Sequence, residues 1–125
     1  MKKRKLHLNW KGYYSYTSTN VNSYVPKKAG VYKLSDKLKS GKLWPFYVGQ
    51  ALDLNDRLNN HLRDSEKNDC IKDKVREYKC YFKFALVPSG DDRDGAERAL
   101  YLHYEPECND PDAIPSSPDI EVNYD

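Results

Sequence analysis

Apolar and polar residues alternate with the two-residue period of β-strands in several parts of this 125-residue chain. Residues 30–35 and 44–48 form two such segments, and the turn signals of residues 39–42 lie between them. Residues 80–87 are rich in aromatic and aliphatic side chains and give the strongest strand signal. The pattern predicts an antiparallel hairpin and a third strand. It does not fix the register, so it leaves open whether Tyr32 and Tyr47 share a face.

A helical period follows the second predicted strand. Leucines recur every four residues from Leu54 to Leu62, which gives a helix one apolar face. Asp53 precedes them as a good N-cap. Arg57 and His61 are also four residues apart, so they share a second, polar face of the same helix. Without further context, such a pair is an ordinary solvated helix face.

Two more helices are predicted downstream. Residues 69–78 carry apolar side chains at a weaker helical spacing. Residues 95–104 follow a cluster of aspartates that can cap a helix, and Pro106 ends it. The acidic, proline-containing residues 110–125 then predict an extended or disordered tail that joins no core.

The first 28 residues are basic and aromatic. Residues 6–10 alternate apolar and polar side chains, which predicts a strand, and several tyrosines follow in a stretch rich in Ser, Thr and Asn. One interpretation is an arm that lies along phosphates and stacks on bases. The other, which we favour for Trp10 and some of the tyrosines, is an added strand or hairpin whose aromatic side chains pack on the core. The lysines remain available in either case.

Charge is distributed unevenly although the net charge is only +2. Residues 1–29 contain seven Lys or Arg and no acidic residue, whereas residues 105–125 contain seven Asp or Glu and no Lys or Arg. A basic arm and an acidic tail are compatible with a nucleic-acid partner. The same distribution also fits two solvated chain ends.

Composition narrows the class of protein. An apolar fraction of 38% and a charged fraction of 32% favour one small core. We expect no membrane-spanning helix, because no apolar run reaches about 18 residues, and no secretory signal follows the basic N-terminus. Cys70, Cys80 and Cys108 lack metal-type spacing, so we expect reduced thiols in a cytoplasmic protein rather than a zinc site.

One ordered set of residues carries a family resemblance. The strand segments contain Gly30-Val31-Tyr32 and Tyr47-Val48-Gly49, followed by Arg57 ten residues after Tyr47 and by His61. The last predicted helix and its exit supply five more residues: Glu97, Leu100, Tyr104, Pro106 and Asn109. Over roughly residues 29–109, this order resembles the GIY-YIG nuclease domain. The downstream spacing is similar to that of the incision subunit of bacterial nucleotide-excision repair, and the Tyr–Arg–His spacing to phage homing endonucleases.

The resemblance implies an α/β (α+β) domain with a small three-stranded antiparallel sheet flanked by helices. It divides the chain into an extension (1–28), a nuclease domain (29–109) and an acidic tail (110–125). It further implies an endonuclease that hydrolyses phosphodiester bonds, with DNA as the expected substrate and no membrane partner. Specificity would come from the basic arm, the long hairpin, a protein partner or a homodimer, since no second domain is evident.

The catalytic residues implied by the resemblance are Tyr32, Tyr47, Arg57, His61 and Glu97. Tyr32 and Tyr47 would sit beside the scissile phosphate, with Tyr32 as the general base for the attacking water. Arg57 would stabilise charge on the phosphoryl oxygens, which a guanidinium can meet with two hydrogen bonds. His61 would orient or deprotonate the nucleophile. Glu97 would hold one Mg²⁺ or Mn²⁺ per site, and a single carboxylate suits Mg²⁺ because this ion keeps most of its waters.

Three further residues are assigned to substrate binding by the same resemblance: Gly49, Gln50 and Asn109. Gln50 departs from the repair enzymes, which carry Lys there, so one phosphate contact is missing. The connection between the two tyrosines is longer than usual in the family. Its lysines, between residues 37 and 42, either contact DNA or lie in an exposed loop.

Two alternative functions remain open. A domain of this fold could bind nucleic acid with weak catalysis or none; loss of a residue with an implied role would favour this alternative, and none is lost. The acidic tail could instead make the chain an interaction protein, or cover a basic groove of its own domain.

Overall fold

The computed structural model describes residues 3–125. Within this range, no helix is long and apolar enough to cross a membrane. The strands are Arg4–Leu6 (β1), Lys11–Ser15 (β2), Gly30–Lys37 (β3), Leu43–Ala51 (β4), Tyr81–Leu86 (β5) and Ile120–Val122 (β6). The helices are Ser18–Tyr24 (α1), Leu54–His61 (α2), Asp69–Glu77 (α3) and Gly90–Tyr104 (α4), with a short 3₁₀ turn at Pro111–Ala113.

The main sheet is antiparallel and contains four strands in the order β2-β5-β3-β4. The predicted class, an antiparallel sheet flanked by helices, is therefore confirmed, but the expected three-stranded sheet is too small. The fourth strand, β2, comes from the first 28 residues and pairs with β5. The strand predicted at residues 6–10 is wrong, because Leu8 donates its N–H to the side chain of Asn123 (2.6 Å) instead of to a neighbouring strand.

Local capping explains where the helices begin. Asp53 accepts the N–H of Asp56, as predicted for the start of α2. α4 begins at Gly90 rather than near residue 95, because Ser89 is its N-cap and the aspartates form its first turn. α1 was not predicted, since its polar sequence buries only Val21.

Both faces of the sheet are covered. We call the face that packs on α1, α2 and α3 the α2 face; Tyr32, Leu34 and Phe82 belong to it. The opposite, α4 face packs on α4 and β6 and includes Val31 and Val48. The side chains of β3 therefore alternate between two apolar layers, which fixes the register of the strand against its neighbours.

The end of the chain is part of this fold. Ile120 and Val122 are buried on the α4 face, and β6 pairs in parallel with β1. The expectation of a tail that joins no core is wrong, because low overall hydropathy did not reveal two aliphatic side chains that meet a partner strand. Removing residues 110–125 would therefore remove part of a core. The division of the chain at residues 28 and 109 stays a prediction, although both end segments contribute to the packing.

Two cysteines are paired. Cys70, in the first turn of α3, forms a disulfide with Cys108, which follows α4, whereas Cys80 is a free buried thiol. The expectation of three reduced thiols is therefore wrong. The two cysteines are 38 residues apart in sequence, so only the packing of α3 against the segment after α4 reveals the pair. The cytoplasmic location stays a prediction, and the cysteines no longer support it because two of them are paired.

Reduction of this disulfide should destabilise the protein. Closing a loop of this length removes entropy from the unfolded chain, which corresponds to about 3–4 kcal/mol. We expect dithiothreitol, or replacement of Cys70 and Cys108 together by serine, to lower the free energy of unfolding by that amount in denaturant titrations. Cys80→Ser should keep its sensitivity to dithiothreitol. Equal stability of the untreated and reduced protein would contradict the pairing.

Candidate active site

The β3–β4 hairpin brings the two predicted catalytic tyrosines together. Tyr32 pairs with Gly49, and Leu34 pairs with Tyr47. Residues directly opposite one another in an antiparallel pair point to the same face, so Tyr32 and Tyr47 both lie on the α2 face. They are diagonal neighbours with ring centroids 6.1 Å apart. The register thus answers the question that the sequence left open.

Gly49 makes this arrangement sterically possible. A Cβ atom at this position would lie only 2.6 Å from Cζ and from the hydroxyl oxygen of Tyr32. Any side chain would therefore displace the Tyr32 ring from its place over β4. Gly49 positions Tyr32, and its predicted contact with substrate stays a prediction.

The polar face of α2 is turned toward the tyrosines. His61 is buried, and its Nε2 lies 2.7 Å from the hydroxyl of Tyr32. The ring centroid of His61 is 5.3 Å from that of Tyr47. The charge of the Arg57 guanidinium acts on both tyrosines and opposes the rise of their pKa values. His61 is therefore not part of a solvated helix face, whereas Arg57 is exposed on the same helix.

Burial controls the protonation of this cluster. It raises the pKa of Tyr32 well above the usual value, with Tyr47 adding to the rise and Arg57 opposing it. It also raises the pKa of Tyr47, against the effect of Arg57. For His61, burial and then the charge of Arg57 lower the pKa, and Glu66 opposes them. Two neutral phenols and a neutral imidazole therefore surround one fixed cation near neutral pH.

Glu66 belongs to the same cluster, and sequence reasoning missed it. Its Oε2 lies 2.9 Å from Nδ1 of His61, while its Oε1 accepts the N–H of Asn68 (2.9 Å). The side chain is only 8% exposed. Glu66 lies in the connection between α2 and α3, where no motif distinguishes it from the other acidic residues of the chain. Only the fold shows that it reaches the histidine.

Glu97 approaches the cluster from the other side of the edge strand. It projects from α4, and Gln50 donates from its Nε2 to Glu97 (3.1 Å) and to Asp94 (2.7 Å). Burial raises the pKa of Glu97; the Gln50 hydrogen bond and the charge of Arg57 oppose the rise, and Asp94 adds to it. The charge of Glu97 in turn raises the pKa of Tyr47. The two halves of the site therefore interact electrostatically around β4.

The donor set around Glu97 fits a hard divalent cation. The carboxylates of Glu97 and Asp94 are the oxygen ligands that Mg²⁺ prefers, and the Nε2 of Gln50 holds the two side by side. Within residues 3–125, no group of three or more His, Cys, Asp or Glu side chains forms a complete metal cage. Such a site suits an ion that keeps most of its waters. Sequence reasoning found Glu97 and missed Asp94.

Asn109 holds the outer edge of β4. Its Oδ1 accepts the N–H of Val48 (2.9 Å), and its Nδ2 donates to the carbonyl of Val48 (2.8 Å). These backbone groups face away from β3 because β4 is the edge strand. Asn109 thus replaces a neighbouring strand at the residue between Tyr47 and Gly49. Since both ends of its amide are used, Asn109 supports the strand, and its contact with substrate stays a prediction.

An open cleft of about 560 Å³ adjoins Arg57. It is lined by Arg57, Asn60, Ser65, Glu66, Lys67 and Asn68. Cationic and amide groups in this cleft offer donors to a phosphate backbone. The lysine-containing loop that the sequence singled out lies at the other end of the hairpin, beyond the Lys37–Leu43 pair. The structure therefore does not bring that loop to Arg57.

The buried histidine should make stability sensitive to acid. Because the pKa of His61 is lowered in the fold, the unfolded chain binds a proton first as the pH falls below about 6.5. Stability should be unaffected by this group above that pH and fall as the pH drops toward the folded-state pKa. His61→Gln should show a smaller loss in thermal unfolding between about pH 6.5 and 5, whereas the exposed control His7→Gln should behave like the unsubstituted protein. An equal loss in His61→Gln would contradict this account.

The fold has close counterparts among solved structures. No protein-family model matches the sequence, and no match was found among curated proteins. The GIY-YIG N-terminal endonuclease domain of UvrC from Thermotoga maritima, in a Tyr-to-Phe mutant bound to its catalytic divalent cation, is similar over 73% of this chain and 97% of its own, with a TM-score of 0.55 and 21% identity. The magnesium-bound form of the same domain gives a TM-score of 0.53 at 23% identity, over 73% of this chain and 97% of its own. This chain therefore has the GIY-YIG endonuclease fold.

Proposed function

We propose that this protein is a metal-dependent endonuclease of the GIY-YIG family that hydrolyses phosphodiester bonds of DNA. The observation that carries the proposal is the convergence of Tyr32, Tyr47, Arg57 and His61 in one cluster, with the carboxylate of Glu97 across the edge strand. These residues come from four separate elements, β3, β4, α2 and α4. Core packing alone does not require such a convergence of polar groups.

Arg57 is the group that meets the phosphate. Its guanidinium faces the tyrosine hydroxyls on one side and the open cleft on the other. Hydrolysis adds negative charge to the non-bridging phosphoryl oxygens, and a guanidinium fork can donate two hydrogen bonds to them. Lys67 in the cleft is placed to bind the flanking backbone.

The tyrosine pair and His61 handle the proton of the attacking water. Tyr32, expected to be the general base, has no exposed surface, whereas Tyr47 is partly exposed. Tyr47 is therefore the hydroxyl that meets water. Tyr32 is its buried neighbour, and the Tyr32 hydroxyl lies 2.7 Å from Nε2 of His61. A neutral His61 can accept a proton from this hydroxyl pair.

Glu97 would hold the divalent cation, with Asp94 as a further oxygen ligand. One Mg²⁺, or Mn²⁺ in its place, would polarise the phosphate and stabilise the leaving oxygen when bound. The residues of this chain supply the ligand oxygens and hold them around the edge of β4. Gln50, at the position where the repair enzymes carry Lys, positions both carboxylates through its Nε2.

The remaining assignments extend this proposal. Nucleic acid, with DNA as the expected form, is the substrate, and the basic first 28 residues supply lysines near the sheet. Specificity would come from this segment, from a protein partner or from a homodimer. A cytoplasmic location is part of the proposal and rests on no structural observation.

Loss of the metal-binding carboxylate should abolish cleavage and leave binding intact. We expect the protein to cut labelled duplex, branched or single-stranded DNA with Mg²⁺ or Mn²⁺, and to stop when EDTA is added. Glu97→Gln keeps the shape of the side chain and removes its charge, so cleavage should fall at least about 100-fold. Affinity for the same DNA in a binding assay should stay within about threefold.

Glu77→Gln, at the exposed end of α3, is the matched control and should cleave normally. If the unsubstituted protein binds DNA but cuts none of these substrates with either metal, the binding-module alternative replaces the nuclease proposal. Cleavage that survives both EDTA and Glu97→Gln would show that the metal assignment is wrong.

The geometry of the Arg57 side chain should matter beyond its charge. Arg57→Lys keeps a cation but loses the planar fork, so kcat should fall about 100-fold while affinity for DNA changes little. Arg63→Lys, near the end of the same helix and hydrogen-bonded to Asn60, is the control and should keep kcat. A normal kcat in Arg57→Lys would show that the guanidinium of Arg57 does not stabilise the transition state.

A further inference from the structure

The Glu66 carboxylate is held on both of its oxygens. One accepts the backbone N–H of Asn68, and the other faces Nδ1 of His61, each at 2.9 Å. The side chains of Glu66 and His61 are 8% and 0% exposed. Water therefore does not compete for this contact, and neither group can rotate without losing a buried hydrogen bond.

This contact selects one tautomer of His61. A carboxylate only accepts hydrogen bonds, so Nδ1 must carry a proton. In the neutral ring, Nε2 is then unprotonated and must accept, and the group that faces it at 2.7 Å is the hydroxyl of Tyr32. The three side chains therefore form two hydrogen bonds in series. The Tyr32 hydroxyl donates to Nε2 of His61, and Nδ1–H of His61 donates to the Glu66 carboxylate.

The Glu66 segment is anchored from outside the cluster. Asn68 caps α3 by accepting the N–H of Ile71 (3.1 Å), and its Nδ2 donates to the carbonyl of Cys108 (2.9 Å). Cys108 is also joined to Cys70 by the disulfide. These contacts tie the α2–α3 connection to the segment that carries Asn109.

We propose that Glu66 is a positioning residue of this site, which holds His61 as the Nδ1–H tautomer so that Nε2 receives the hydroxyl proton of Tyr32 during hydrolysis. The inference rests on the proposed nuclease function and adds a residue that the family resemblance did not supply. Glu66 touches neither the phosphate nor the water, and it acts only through His61.

The protons balance in this scheme. The water oxygen forms a bond to phosphorus while the bond from phosphorus to the leaving oxygen breaks. The water proton passes to Tyr47, the Tyr47 proton to Tyr32, and the Tyr32 proton to Nε2 of His61. The leaving oxygen takes a proton from solvent, and His61 returns its extra proton through the same hydroxyls after product leaves. Water is thus added across one phosphodiester.

The imidazolium formed in this step needs a counter-charge. The groups facing His61 are Tyr32 from β3, Tyr47 from β4, Arg57 from its own helix and Glu66 from the α2–α3 connection. Arg57 repels the new charge, and the phenols are neutral. Glu66 alone opposes that repulsion, as the carboxylate of a hydrolase triad does for its histidine.

A purely structural role for Glu66 makes a different prediction. If the carboxylate only satisfies a buried Nδ1–H, its loss should lower stability and leave turnover unchanged in the folded protein. Glu66→Gln separates the roles, because the amide can accept from Nδ1–H or donate to an unprotonated Nδ1, so it enforces no tautomer. Asp64→Asn is the matched control, since Asp64 lies in the same connection with a side chain that is 99% exposed.

The kinetic test measures kcat and KM for Mg²⁺-dependent DNA cleavage as a function of pH. In Glu66→Gln we expect kcat to fall about 10- to 100-fold with KM nearly unchanged. The acid limb of the profile should move to lower pH, because the imidazolium loses the charge that stabilises it. Asp64→Asn should follow the unsubstituted protein. A kcat and pH profile of Glu66→Gln equal to those of the control would overturn the proposal.

The tautomer can be measured without cleavage. Nitrogen-15 chemical shifts of the His61 ring should show a protonated Nδ1 and an unprotonated Nε2 in the unsubstituted protein, and a shift toward the Nε2–H form in Glu66→Gln. An Nε2–H tautomer in the unsubstituted protein would overturn the inference.

Failure of the proposed nuclease function would give a different experimental result from failure of the Glu66 proposal. If the unsubstituted protein cuts no DNA with either metal, the nuclease function fails and the relay with it. If it cuts normally and Glu66→Gln does too, only the role of Glu66 fails.

Discussion

The crossing of Tyr32 over Gly49 is the contact on which the rest of the site depends. Pairing of these residues across β3 and β4 puts the Tyr32 ring against the backbone at residue 49, where a Cβ atom would lie 2.6 Å away. A register shift by one residue would turn Tyr32 to the α4 face and away from Arg57 and His61. The two apolar layers on either side of the sheet prevent that shift, so ordinary core packing specifies the geometry of a polar cluster.

The edge position of β4 explains how one site uses both faces of a sheet. Residues that alternate along an inner strand are separated by the sheet, but a ligand can reach around an edge strand and contact both. Tyr47 and Gln50 use this freedom, one toward α2 and the other toward α4. Exposed edges are open to unwanted pairing, and Asn109 closes this one at Val48 with its own amide. The same side chain therefore protects the edge and keeps Tyr47 in place.

The sequence predicted those features that depend on residues close to one another along the chain. The four-residue spacing of the leucines predicted α2, with Asp53 as its N-cap. The spacing of Tyr47, Arg57 and His61 predicted side chains that the structure does bring together. The features that the sequence did not predict depend on contacts between residues far apart in the chain. Tail residues such as Ile120 reach a core only when the first strand of the chain is beside them, and Cys70 finds Cys108 only after α3 has packed. Nothing in the sequence distinguishes Glu66 and Asp94 from the other acidic residues, because their partners, His61 and Gln50, lie in other elements.

Charge balance explains why a buried cluster of titratable groups can be stable and still reactive. Burial raises the pKa of both phenols and lowers that of His61, so the charged groups that act on His61 are the guanidinium of Arg57 and the carboxylate of Glu66. Moving a proton inward along the hydroxyls places positive charge beside Glu66 and leaves negative charge toward Arg57 and the cleft. Both fixed charges favour that displacement, and neither has to move. A site of this kind is prepared for proton transfer by its fold, which is the condition for efficient electrostatic stabilisation.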